Sequence, residues 1–302
     1  MSVALKILLL NSLLLFMSSS AWSEERQQNC TQAQIQANID KFKSSDYSVT
    51  MTAINAVANC KSLSVKPLIE ALNAQSAQVR RNAVKALGDI GAEDKAKPQL
   101  IQSLIAKFKD SNESVRETAI HVVVVKYQPE WIKPLIEALN NQSDGIRENA
   151  AKALAQIASN PEIVPTEAIP QLIQSLQQDN NSSVRMYAAM AIAAIGESAK
   201  AAIPQLIQSL KQDQHFAVRT YAAGAFIYMG ESGKEAIPQL IQSLKQDPDA
   251  TVRSAAAFAL GYMKESAKEA IPQLIQSLKQ DPDSGVRSAA ASTLDHLKVD
   301  PK

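Results

Sequence analysis

The nine residues Ala-Ile-Pro-Gln-Leu-Ile-Gln-Ser-Leu begin at Ala168, Ala202, Ala236 and Ala270, so one block returns every 34 positions. A fixed period of this size means one supersecondary unit stacked on copies of itself, because so short a unit cannot bury its apolar face alone. Glycine is scarce, nine in 302 residues, and Ala, Leu, Ile and Gln fill the repeats, which makes the unit helical. The expected class is all-α with about eight helix pairs. The last four, from about Pro165 onward, are nearly regular, and the first four diverge in length.

In the unit that starts near Ala199, Ile203, Leu206, Ile207 and Leu210 follow the i, i+3, i+4, i+7 spacing of one helix face. Gln205, Gln208, Ser209, Lys211 and Gln212 are expected to face away. Pro204 fits the first turn of this helix, where its missing N–H removes no intrahelical bond. After a turn at Asp213-Gln214, a second helix from about Ala217 to Met229 places Val218, Ala222, Ala225, Phe226 and Met229 on a core face. The alanines permit close helix approach. Gly196, Gly230 and Gly261 fall near the ends of second helices, where left-handed backbone favours glycine.

An arginine recurs near the start of every second helix but one, at Arg80, Arg116, Arg147, Arg185, Arg219, Arg253 and Arg287. An aspartate stands six residues earlier at Asp110, Asp179, Asp213, Asp247 and Asp281, whereas the first pair carries Val49-Thr50 instead. The run Pro-Gln-Leu-Ile-Gln-Ser-Leu, an Asp-Pro-Asp turn, Val-Arg-Ser-Ala-Ala-Ala and a terminal glycine resemble short HEAT repeats of the phycobilisome-lyase type, over almost all of the chain beyond its N-terminal segment. Tetratricopeptide repeats share the period, but their Trp, Leu-Gly and Tyr pattern is missing. The resemblance implies a right-handed α-solenoid superhelix of HEAT-like pairs. It also implies that the Asp and Arg columns join adjacent repeats as a structural ladder, a task suited to the planar guanidinium fork.

Residues 1–23 carry Lys6, an apolar run from Ile7 to Phe16 and the small-x-small sequence Ala21-Trp22-Ser23. This is the pattern of a secretory signal cleaved near Ser23, and the run is shorter than the roughly 20 residues a membrane span needs. The expected organisation is a signal peptide (1–23), a capping helix pair (24–62) and a repeat array (63–302), with no stable membrane span once the signal is removed. The expected location is periplasmic or secreted. Cys30 and Cys60 are the only cysteines, and in a helical hairpin the start of the first helix lies beside the end of the second, so a disulfide between them is expected.

Charge is balanced, with 31 basic and 30 acidic residues, which argues against nucleic acid as a partner. His121, His215 and His296 sit in separate repeats without metal-ligand spacing, and the chain contains no His-Glu dipeptide of the kind that holds iron in HEAT-repeat deoxyhypusine hydroxylases. No phosphate-binding glycine loop or nucleophile elbow occurs. The sequence therefore supplies no catalytic residue, metal site or cofactor. The expected function is a non-catalytic exported scaffold that binds a protein or peptide on its concave surface. The alternatives are a bilin-lyase-like module, a role with which an export signal conflicts, or an enzyme-associated module, and a purely structural spacer.

The concave surface of a solenoid is lined by second-helix residues that do not face the core. In the N-terminal half these are Arg81, Lys85, Glu117, His121, Glu148 and Lys152, a mixed-charge strip. In the C-terminal half they are Met186, Tyr187, Met190, Tyr221, Ile227, Tyr228, Phe258 and Tyr262. Methionine and aromatic side chains give large adaptable contacts, so the expected binding groove lies there.

Overall fold

A computed structural model describes residues 30–90 and 97–299. The expected signal peptide lies outside the described residues. Sixteen α-helices and no β-strand occur among the described residues. The described residues form two compact units, divided between Lys126 and Tyr127.

The first unit contains α1 (Gln32–Ile39), α2 (Tyr47–Asn59), α3 (Ser62–Ala71), α4 (Ala77–Ile90), α5 (Lys97–Ala106) and α6 (Glu113–Val125). Thr31 caps α1 with a capping box to Gln34, and Asp46 caps α2 by accepting from the amides of Ser48 and Val49. Cys30, just before α1, is bonded to Cys60 at the end of α2, with the Cα atoms 5.4 Å apart. The hairpin geometry expected from the sequence is therefore present. Asn82, buried on α4, donates to the Phe42 carbonyl at 2.9 Å and ties the first pair to the second.

The second unit contains α7 (Ile132–Ala138), α8 (Asp144–Ala158), α9 (Ile169–Gln178), α10 (Ser182–Ile195), α11 (Ile203–Gln212), α12 (Phe216–Met229), α13 (Ile237–Gln246), α14 (Ala250–Tyr262), α15 (Ile271–Gln280) and α16 (Ser284–His296). Odd-numbered helices form one layer and even-numbered helices the other, and the even-numbered ones pack more closely on each other. Alanine is the cause: Ala222, Ala223 and Ala225 of α12, like Ala256, Ala257 and Ala259 of α14, are fully buried. The expected core face of α12 is present, with Val218, Phe226 and Met229 buried alongside these alanines.

Proline stands in the first turn of α9, α11, α13 and α15, as its missing N–H allows. The stretch Ser182–Gln212, which contains an 18-residue window of mean hydropathy 1.2, would be long enough to cross a bilayer if it were one helix. It is folded as α10 and α11, joined by a 3₁₀ segment that starts at Gly196 with φ +64°.

Two expectations are corrected. Gly230 also has positive φ, but Gly261 lies inside α14, and the left-handed position after that helix belongs to Lys264 at φ 48°. Gly261 serves packing: a Cβ there would stand 3.2 Å from Thr293 Cγ2 on α16. Ser209 does not face away but is buried, as are its equivalents Ser175, Ser243 and Ser277. In three of these four helices the glutamine amide four residues earlier reaches the serine hydroxyl, at 3.4 Å from Gln205 and 3.3 Å from Gln239 and Gln273.

Candidate functional site

Two constellations stand out, a ladder that recurs along the stacked pairs and holds repeats together, and a groove that faces solvent. In the first, Arg219 donates from Nε and Nη2 to the two carboxylate oxygens of Asp247 in the next repeat, at 2.8 and 2.9 Å. Its Nη1 donates to the Asp213 carbonyl of its own turn at 2.9 Å. Asp247 also accepts the Asp249 amide at 2.9 Å, so one carboxylate closes its own turn and clamps the preceding repeat.

The same fork joins Arg80 to Asp110, Arg147 to Asp179, Arg185 to Asp213 and Arg253 to Asp281. Arg116 and Arg287 donate to carbonyls of their own turns, including Asp110 and Asp281. In the repeat after Arg116 the column carries Asn141, whose side-chain oxygen accepts the Ser143 amide and preserves the turn without the charge. In the first pair, where no arginine stands, the Thr50 hydroxyl reaches the carbonyl six residues back, at Ser44, at 3.1 Å. Thr50 thus supplies the short-range half of the missing arginine's bonding.

Electrostatics follow from this geometry. Burial pushes the Asp281 carboxyl up, but hydrogen bonds from Arg253 and the Asp283 amide, with the charges of Arg253 and Arg287, outweigh it and leave the pKa lowered. At Asp110 burial is likewise outweighed, by Arg80, the Asn112 amide and Lys107. A carboxyl depressed in the fold takes up protons more readily in the unfolded chain. The stabilisation from these two groups is therefore present above the ordinary carboxyl pKa of about 4 and is lost as pH falls through the lower folded value. Thermal melting from pH 7 to pH 2 should show this loss, and Asp281→Asn should flatten the acid limb. An acid limb identical in the variant would exclude Asp281 as a source.

The second constellation is a groove of about 470 Å³ in the second unit. Of the eight residues expected to bind a partner, Met190, Tyr221, Ile227 and Tyr228 line it. Met186 and Tyr187 are half-buried on α10, and Phe258 and Tyr262 are exposed on α14, all four outside the lining. Tyr221, Tyr228, Phe258 and Tyr262 are 37, 64, 41 and 49% exposed, a run of large apolar surface on α12 and α14. Tyr262 stacks on His296 with ring centroids 5.7 Å apart. In the N-terminal strip, Arg81 of α4 donates to Ser114 at 3.3 Å, and burial together with the charge of Arg81 lowers the Lys85 pKa against the pull of Asp89.

The rest of the lining is small, including Ala193, Ala194, Gly224 and Ala255, and sequence reasoning did not single these residues out. The available signal was the column five residues after each ladder arginine: Lys85, His121, Lys152, Met190, Gly224, Phe258, Ser292. This column is basic in its first three repeats and uncharged in the last four. No group of three or more His, Cys, Asp or Glu among the described residues could hold a metal ion.

The sequence matches a family model described as HEAT repeats, over residues 35–106, 98–166, 161–227 and 237–302. No curated protein sequence matches it significantly. Among solved structures, Escherichia coli YibA is similar with a TM-score of 0.52 and 21% identity, over 91% of this chain and 96% of that one. A chain in the structure of Kap95p with RanGDP is similar at 0.60 and 15%, over 87% of this chain and 40% of that one. The phycocyanin lyase complex of CpcE and CpcF from a Nostoc species gives a TM-score of 0.44 at 22% identity, over 55% of this chain and 99% of that one.

Proposed function

This chain belongs to the HEAT-repeat family, and from that premise we propose that it is an exported, non-catalytic scaffold that binds a protein or peptide on the even-helix face of its second unit. The observation that carries the reading is the groove between Met190 and Tyr228, flanked by the exposed aromatics of α14. Large apolar side chains left in solvent on neighbouring repeats are the composition of a binding surface, and the small residues between them give it relief. Export is supported by the signal pattern of residues 1–23 and by the Cys30–Cys60 bridge, since such bridges persist in oxidising compartments.

The test is crosslinking of the tagged protein in its native compartment, followed by mass spectrometry, with a Met190→Ser/Phe258→Ser variant alongside. Capture of a specific partner should fall by about tenfold or more in the variant, because truncating central apolar contacts costs about 2 kcal/mol or more. Melting of the variant should remain close to that of the parent. Equal capture by both proteins excludes this surface, and no specific capture by either leaves a structural spacer. Alkylating the same cells before lysis should find Cys30 and Cys60 oxidised; freely alkylated thiols would exclude an oxidising destination.

A further inference from the structure

Gly224 stands in the middle of α12, at the position where α10 carries Met190 and α14 carries Phe258. A Cβ built on Gly224 meets no heavy atom within 4 Å outside its own helix backbone. Packing explains other glycines: a Cβ at Gly88 would lie 2.6 Å from Val122, and one at Gly233 would lie 2.7 Å from Phe226. Neither crowding nor a left-handed turn requires glycine at 224, and glycine inside a helix weakens it relative to alanine. The space left by the missing side chain is part of the groove.

The surroundings of that space select a chemistry. Met190 contributes a thioether, Tyr221 and Tyr228 contribute rings, Ile227 and Ala255 are aliphatic, and the lining contains no charged side chain. Sulfur and ring edges favour an aromatic guest over an aliphatic one of similar size, a carboxylate would find no counter-charge, and a cation would have only the faces of Tyr221 and Tyr228 to offset its lost hydration. Exposed Phe258 and Tyr262 continue the apolar surface onto α14, outside the groove lining, where an extended ligand can use them and a small molecule cannot.

We propose that the gap at Gly224 receives one uncharged aromatic side chain of a bound peptide, an inference that rests on the groove reading above. The probes are N-acetyl-tryptophanamide, N-acetyl-leucinamide, N-acetyl-lysinamide and a heptapeptide with a central tryptophan and leucines two residues to either side. Binding is followed on the methyl signals of the full protein labelled with methyl-¹³C methionine. The Met190 methyl should shift saturably with the tryptophan amide, less with the leucine amide and not with the lysine amide. The heptapeptide should bind at least about tenfold more tightly than the free tryptophan amide.

Gly224→Met, which gives α12 the side chain its neighbour α10 carries, should weaken both tryptophan probes about tenfold or more without lowering the melting temperature. An unmoved Met190 signal, equal affinities in Gly224→Met, or a heptapeptide no tighter than the amide would overturn the proposal, the last because it describes a small-molecule pocket. Partner capture that survives Gly224→Met but is lost in Met190→Ser/Phe258→Ser would overturn the gap and keep the groove. Capture unaffected by either variant removes the groove reading itself.

Discussion

Replacing Asp247 by alanine is expected to lower the stability of the second unit by about 3 kcal/mol, near the low end of what removing one partner of a buried ion pair costs. Arg219 and Asp247 side chains are only 11 and 6% exposed, so the abandoned guanidinium has little access to water. The estimate stays at the low end because Arg219 keeps its bond to the Asp213 carbonyl. Asp247→Asn should cost less, about 1–2 kcal/mol, since an amide oxygen can still accept the Asp249 amide and only the charge-assisted fork is weakened. Asn141, which holds its turn in the same way, is the precedent within the chain. Urea unfolding gives the order, and amide exchange on α12 and α14 gives the place. Alanine and asparagine variants both as stable as the parent would show that the fork adds nothing to the stack.

The second large effect is expected from the Cys30–Cys60 bridge. Cys30→Ser/Cys60→Ser should destabilise the first unit by about 3–4 kcal/mol, the loop-closure value for a bridge of this separation. The bridge spans 30 positions and joins the start of α1 to the end of α2, so its loss frees one helix pair at the edge of the described fold. In a repeat stack each pair leans only on its neighbours, so amide exchange should quicken on α1 and α2 and leave α13 to α16 unchanged. Uniform quickening along the whole chain would contradict nearest-neighbour stacking. An unchanged first pair would mean that the packing of Ile35, Phe42 and Ile54 alone is sufficient.

Much of this architecture was legible because a repeat aligns the chain with itself. The proline at the head of α9, α11, α13 and α15, the aspartate that ends each of them and the arginine six residues later each recur for a local physical reason. Four regular copies separate those reasons from accident. The ladder itself was announced by two columns at constant spacing. What escaped the reading depended on what lies across from a residue in space. Ser209 looked solvent-facing by helical periodicity and is buried, with its hydroxyl in reach of the Gln205 amide. Gly261 looked like a helix terminator and is a site of close approach to Thr293. The groove was half legible. Large side chains such as Tyr228 advertise themselves, whereas the Gly224 gap that gives the surface depth is a missing side chain, and a missing side chain has no periodicity.

The bonding of each ladder aspartate gives the stack a direction. Its carboxylate takes the arginine of the repeat before, while its carbonyl takes the arginine of its own repeat, so each module carries one socket and one plug of fixed polarity. Like track sections that join in only one sense, modules of this kind can be added or removed whole, because every cut between an aspartate and the next leaves ends that fit each other. An insertion of 34 residues in phase reproduces both joints, and one of 17 leaves an arginine facing a helix where the next turn should be. The chain's length is thus free to change in units of one module, and its sequence within a module is not.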